Sequence, residues 1–332
     1  GSLATLELTA TQSHTVPISG TGNMTVTGLE NKTNADLSGI TTSGTNTVKA
    51  ESNITSPSFS GSFPQANFTL DGDKTVTMSS DGIPASPKVM TIAANNTLQA
   101  DASKFTSKEV VGAGSFIIDN LDATPSAALV KITCSGSDNK VNASDDVDFS
   151  GSFPDAAFKL DGGKKVTVLS NAITTGQTLT IEASNTLEAT AAFLDGKTIR
   201  GSGNITVNAM SSTAALSDIE LDSASGNVVN TTSNLTNFTG TFPNAIFTLQ
   251  GNNTVTMNST GIVGEKQVTL NSGNTLIANA NRMNGKLVNG GGNIRVDKLD
   301  ETATADLSGI RRRSPVEPKG FLGPISPNGV RD

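Results

Sequence analysis

The chain has no tryptophan and no tyrosine, and it has one cysteine and one histidine in 332 residues. Each shortage closes off a class of protein. Cys134 alone excludes an internal disulfide and any zinc site of the multi-cysteine type. With His14 as the single imidazole, most metal and nucleophile constellations lack a ligand or a base. No apolar run approaches the roughly 18 residues that a membrane helix needs, so no transmembrane segment is expected. Arginine before residue 311 is limited to Arg200, Arg282 and Arg295, and the net charge is -7, which leaves no basic face for phosphate and argues against nucleic acid. The opening Gly1-Ser2, with no initiating Met and no signal-peptide pattern, reads as a cloning or processing scar, and the chain is expected to be a piece of something longer.

What is present is small and repetitive. Apolar residues make up only 35% and are mostly Val, Ile, Leu, Ala and Phe, so a core has to be assembled from small units many times over. Thirty-three glycines, with abundant Asn, Thr and Ser, supply turns and strand residues at high density. Two periods are superimposed. Gly20-Thr21-Gly22-Asn23 returns in related form at Gly112, Gly201 and Gly290, a spacing of about 90 residues. Phe59-Ser60-Gly61-Ser62-Phe63-Pro64 returns at Phe149 and Phe238 with the same spacing. Three units over 5–96, 97–185 and 186–274 are followed by a partial fourth over 275–310.

The third unit is itself divided by the strand markers Leu187, Val207, Val229, Val255 and Leu276, and the other units divide the same way. A repeat of about 22 residues holding period-2 apolar pairs is the size of one β-solenoid coil. The expected fold is all-β: a single right-handed parallel β-helix (β-solenoid) over 1–310, with about 14 coils of roughly 22 residues, one per marker. Tandem β-sandwich domains of about 90 residues are the alternative, which the shorter internal period disfavours. The Asn before each strand is expected to stack at a corner and to hydrogen-bond its counterparts in neighbouring coils. Residues 311–332 hold five basic and two acidic side chains and four prolines, and read as a linker or cap.

Two clusters are candidates for contact with something else. The third marker step is the long one in every unit and holds Phe59, Phe63 and Pro64, then Phe149, Phe153 and Pro154, then Phe238, Phe242 and Pro243. The spacing predicts a widened coil there, with rings that either bulge outward as interaction points or fill a wider section of core; the core is the preferred reading. Asp145, Asp146 and Asp148 form the densest acidic run and offer carboxylate oxygens suited to calcium. Their counterparts in the other units carry no acids, so a solvated loop is preferred and no cofactor is expected. Thr-x-Thr pairs such as Thr25/Thr27 and Thr254/Thr256 suggest an ice-binding face, but they skip coils and read as outward strand residues.

With its long repeats, few aromatics, acidity and abundant Thr, Asn and Gly, the chain resembles the large repetitive surface proteins of bacteria, of the adhesin or surface-layer type. The resemblance implies a non-enzymatic structural or adhesive segment at the cell surface or outside the cell, with surface glycans or neighbouring copies of itself as partners. A glycan-binding or glycan-cleaving β-helix of the pectate lyase or tailspike type is the alternative, since carboxylates on successive coils could be paired. The close likeness of the units and the lack of Trp and Tyr for sugar stacking count against it.

Overall fold

The computed structural model describes residues 4–223, 225–301 and 304–311. They form a parallel β-solenoid of about 15 turns, with four sheets of seven, nine, eight and four strands, here called I to IV. Every ladder is parallel, and each strand pairs with the strand one coil away. Apolar residues stack in register inside: Val26 lies on Val48, Val48 on Leu70, and Leu70 on Ile92. Residues between them face out, so the strand period of two becomes an inside and an outside. Sheet II runs from Ile54 to Leu221 through all three units, which rules out separate sandwich domains.

Each coil has three sides. The strands Ile132–Cys134, Lys140–Asn142 and Val147–Phe149 belong in turn to sheets I, II and III. Higher up, the chain passes from Ile219–Leu221 in sheet II to Asn227–Asn230 in sheet III and Leu235–Phe238 in sheet IV. It then returns to the side of sheet II, where Asn244 bridges to Glu220. Sheet IV therefore occupies the side that sheet I occupies lower down.

The coils are shorter than the marker spacing. Going up sheet II, the interior ladder passes from Val76 to Leu98 to Phe116, from Ile118 to Val141, and on through Leu160, Ile181 and Gly201 to Leu221. Averaged over those steps a coil takes about 20.5 residues, so a unit of about 89 residues holds four and one-third coils. Equivalent strands of the four units accordingly fall on successive sheets: Asn23–Thr27 in I, Ser115–Asp119 in II, Asn204–Asn208 in III and Asn293–Asp297 in IV. One unit is thirteen sides, and the repeat turns by one side per unit. Counting one coil per marker is thus corrected. Fifteen turns at about 4.8 Å make a rod of roughly 70 Å.

The rotation also corrects the widened coil. The long step from Val48 to Val76 takes the marker from sheet I to sheet II, while the coil itself has already closed at Leu70, directly on Val48. Phe59, Phe63 and Phe68 come from successive sides of that coil and meet inside it, with ring centroids 5.0 Å apart in both pairs. Phe149, Phe153 and Phe158 do the same at 4.6 and 5.2 Å, and Phe238, Phe242 and Phe247 at 4.7 and 5.2 Å. All nine rings are buried, worth about 1.5–3 kcal/mol each against exposure. The glycine of the motif has a steric cause: a Cβ on Gly61, Gly151 or Gly240 would overlap the carbonyl oxygen of Ala35, Ala127 or Ala214 in the neighbouring coil.

Once per unit a four-residue helix turns the corner, at Ala10–Ser13, Ala102–Phe105, Ala191–Leu194 and Ala280–Met283. Its first alanine is fully buried every time. The chain leaves the helix through a left-handed residue, Thr15, Ser107, Gly196 or Gly285, with φ between 60° and 66°.

The asparagines that precede strands fasten the coils through backbone groups and not through each other; the bond from Asn230 Nδ2 to Asn208 Oδ1, 2.8 Å, joins strand ends of neighbouring coils instead. Asn139 Oδ1 accepts from the Phe116 N–H one coil below at 3.1 Å, and its Nδ2 donates to Cys134 O in its own coil and to Ala157 O one coil above, at 2.9 and 3.0 Å. Asn227 bridges Ile205 and Ile246 in the same way. Asn96 and Asn185 accept from the Lys74 and Gly163 N–H groups below and donate to their own turns. Backbone amides at corners have no strand partner, so a buried amide side chain that satisfies them is favoured over pairing with its own kind.

Candidate interaction surfaces

Three surfaces are available for recognition: the outer sides of the sheets, the corners, and the two ends. On sheet I the outward ladder reads Glu7, Thr25, Thr47, Thr69, Thr91, Val111, Thr133 in direct register. Threonine suits a side of this kind, because its methyl packs on the neighbouring coil and its hydroxyl reaches water. Sheet II reads Thr77, Gln99, Ile117, Lys140, Lys159, Thr180, Arg200, Glu220, and is the charged side. Single threonines therefore align along sheet I even though the Thr-x-Thr pairs of the sequence do not.

Charges on the outer sides pair between coils. Lys49 lies 3.9 Å from Asp71, Lys140 3.4 Å from Asp161, Lys165 3.3 Å from Glu188 and Arg200 3.4 Å from Glu220. All are partly exposed, so each contributes under about 1 kcal/mol. Gln99 and Asn142 both donate to the carboxylate of Asp119, at 2.7 Å each, joining three coils on sheet II.

Of the predicted contact residues, Phe59, Phe63, Pro64, Phe149, Phe153, Pro154, Phe238, Phe242 and Pro243 are buried. They are not surface bulges, because the coil that holds them is of ordinary length and its interior takes the rings. Asp145 and Asp146 are exposed at a corner, and Asp148 is exposed on the outer side of the strand Val147–Phe149. Asp146 Oδ1 accepts from the Lys165 N–H at 2.8 Å and Asp145 Oδ1 from the Asp146 N–H at 2.9 Å, so two of the three already cap backbone amides. Among the described residues no three His, Cys, Asp or Glu side chains group as metal ligands. The tail 311–332 lies outside the described residues except for Arg311.

The two residues with chemistry of their own serve the frame. Burial pushes the Cys134 thiol up to about 12, and its Sγ lies 3.8 Å from Val110 O. His14 Nδ1 accepts from the Asp36 N–H at 3.0 Å and so ties the first coil to the second. Asp36 in turn accepts from the Ser38 hydroxyl and amide, which holds its carboxyl below the ordinary value.

The ends carry no mark in the sequence pattern. Both have grooves where, among the described residues, the outermost coil has a neighbour on one side only. At the first coil the groove is lined by Leu6, Ile18 and Met24 together with Thr5, Asn23 and Thr42. At the last it is lined by Gln267, Leu287, Val288, Asn289, Gly309 and Arg311. No helix among the described residues is long and apolar enough to cross a membrane. No family model, curated protein or solved structure matches the chain.

Proposed function

We propose that the chain is a structural or adhesive segment of a bacterial surface protein, non-enzymatic, and working as a stiff rod that holds its two ends apart. The observation that carries this reading is the division of labour along the molecule. The interior repeats in kind through the three full units, with the same Phe triplet, buried alanine and bridging asparagines, while the outer ladders hold mostly polar or charged side chains. Such a surface is wettable and varied from side to side, and the backbone ladders and asparagine bridges resist bending. The threonine ladder of sheet I is the side best suited to lie against another surface, since it carries few charges and its side chains are short.

A glycan array combined with a reducing-end assay tests the proposal. The expected result is weak, distributed binding, lost when Thr47 and Thr69 are replaced by Lys, and no release of reducing ends. Turnover of a polysaccharide, or tight binding of one oligosaccharide, would overturn it in favour of a glycan-processing β-helix.

A further inference from the structure

One corner in the middle of the rod gathers cations that have no carboxylate. Lys88, Lys108 and Lys131 each precede a strand of sheet I, namely Val89–Ile92, Glu109–Gly112 and Ile132–Cys134, on three successive coils. The ladder sets Val89 on Glu109 and Val110 on Ile132, so Lys88 and Lys108 are stacked at the corner and Lys131 stands opposite Glu109. Lys88 and Lys131 are exposed, and Lys108 is half-buried. On the sheets, Lys49, Lys140, Lys165 and Arg200 each meet a carboxylate of a neighbouring coil; among the described residues none of these three lysines does. Lys131 passes over Glu109, and its Nζ donates to Ser86 Oγ at 3.2 Å, close in sequence to Lys88 and two coils below its own. Lys104, on the helix before Lys108, is already taken by Asp81 at 3.0 Å.

The same corner recurs in the next two repeats without this charge. The interior ladders make Gln177, Lys197 and Asp218 the counterparts in one, and Lys266, Lys286 and Gly309 in the other. There the lysines are engaged. Lys197 is buried with its Nζ 2.8 Å from Thr175 Oγ1, Lys286 donates to Gly264 O at 3.0 Å, and Lys266 lies 3.7 Å from Asp222. The coil geometry therefore does not require the unpaired trio. Ammonium groups side by side repel, and an anion from outside supplies the partner that the chain withholds.

We propose, on the reading of the rod as a surface segment with glycan partners, that this corner binds an acidic polysaccharide whose carboxylates pair with Lys88, Lys108 and Lys131. Coils rise by about 4.8 Å, close to the length of one sugar residue, so a sugar chain lying along the rod axis meets a cation at each coil. The hydroxyls of Ser86 and Ser107, both exposed at the same corner, are available to the sugar hydroxyls. Duplex nucleic acid, with a charge at about every 1.7 Å of its axis, fits neither that spacing nor a molecule of net charge -7. The corner also has no exposed aromatic side chain on which unpaired bases could stack.

Calorimetric titration of the full chain with an oligomannuronate and with a maltodextrin of the same length tests this. The acidic sugar is expected to bind about tenfold more tightly, the scale of three exposed ion pairs. That advantage disappears between about 0.1 M and about 1 M salt, as the screening length falls from about 10 Å to about 3 Å. Lys88→Gln and Lys108→Gln each weaken binding of the acidic sugar about twofold to fivefold. Adding Lys131→Gln to both brings it to the level of the neutral sugar, with the melting temperature unchanged, while Lys266→Gln at the same corner of the last repeat has no effect. No preference for the acidic sugar, a preference that survives the triple substitution, or tighter binding of a single-stranded oligonucleotide of equal charge overturns the proposal. A neutral sugar bound as well as the acidic one, through Thr47 and Thr69, overturns this corner alone; release of reducing ends from either sugar overturns the reading of the rod itself.

Discussion

The first coil and the coil around Leu187 have nearly the same local design and different surroundings. Each is a five-residue strand followed by a four-residue helix that opens on a buried alanine, then a left-handed corner residue. Leu187 is nevertheless sealed between Val166 and Ile205, while Leu6 has, among the described residues, a ladder partner on one side alone, Met24. The contrast locates the stability of this rod. A coil cannot bury its own side chains; its neighbours do, so the energy is a sum of contacts between adjacent coils. Substitutions at equivalent positions should then differ in cost according to the number of neighbours alone.

The widest gap is expected for a buried charge. Val207→Asp puts a carboxylate between coils on both sides and should cost about 4 kcal/mol or more, enough to lower the melting temperature by many degrees. Val296→Asp, the same position in the half-covered last coil, should cost less than half of that. Equal effects in thermal unfolding monitored by circular dichroism would mean that the two coils are equally covered, contrary to their burial. Leu187→Ala comes next, at about 2–5 kcal/mol, the range for a cavity in a packed interior.

Why the sequence discloses some of this and hides the rest follows from the same contacts. Inward and outward alternation is a local property, so strands such as Thr254–Met257 can be read directly, and their recurrence implies a stack. Coil length is a property of contact between distant residues. The stretch from Leu98 to Phe116 is shorter than that from Ile118 to Val141 although each makes one coil, because corners of different length are tolerated outside the ladder. Marker spacing measures the route from one marker to the next, which in the third step includes an extra side. The strands Phe68–Asp71, Phe158–Asp161 and Phe247–Gln250, which lie inside that long step, are the sign in the sequence of the extra side. The phenylalanines are legible as core, but the meeting of three sides in one triplet is not. The ends are illegible because Leu6 looks like Leu98 until one sees that nothing described lies beneath it.

Asn139 extends the contrast to polar groups. It serves three successive coils, so Asn139→Ala leaves the Phe116 N–H and two carbonyls without that partner and should cost about 2 kcal/mol. Hydrogen exchange should quicken at Phe116, whose amide donates to the missing side chain, more than at strand amides two coils away. Uniform quickening would instead mean that the whole rod opens as one unit.

The smallest effect is expected at Leu6, and its size is the most telling. In the isolated rod Leu6→Ala removes a side chain that is already about half in water, so the loss should stay below about 1 kcal/mol, against several for Leu187→Ala. Melting temperatures of the two variants and the wild type read this gap directly, and a deficit for Leu6→Ala as large as that for Leu187→Ala would contradict the nearest-neighbour account of the rod.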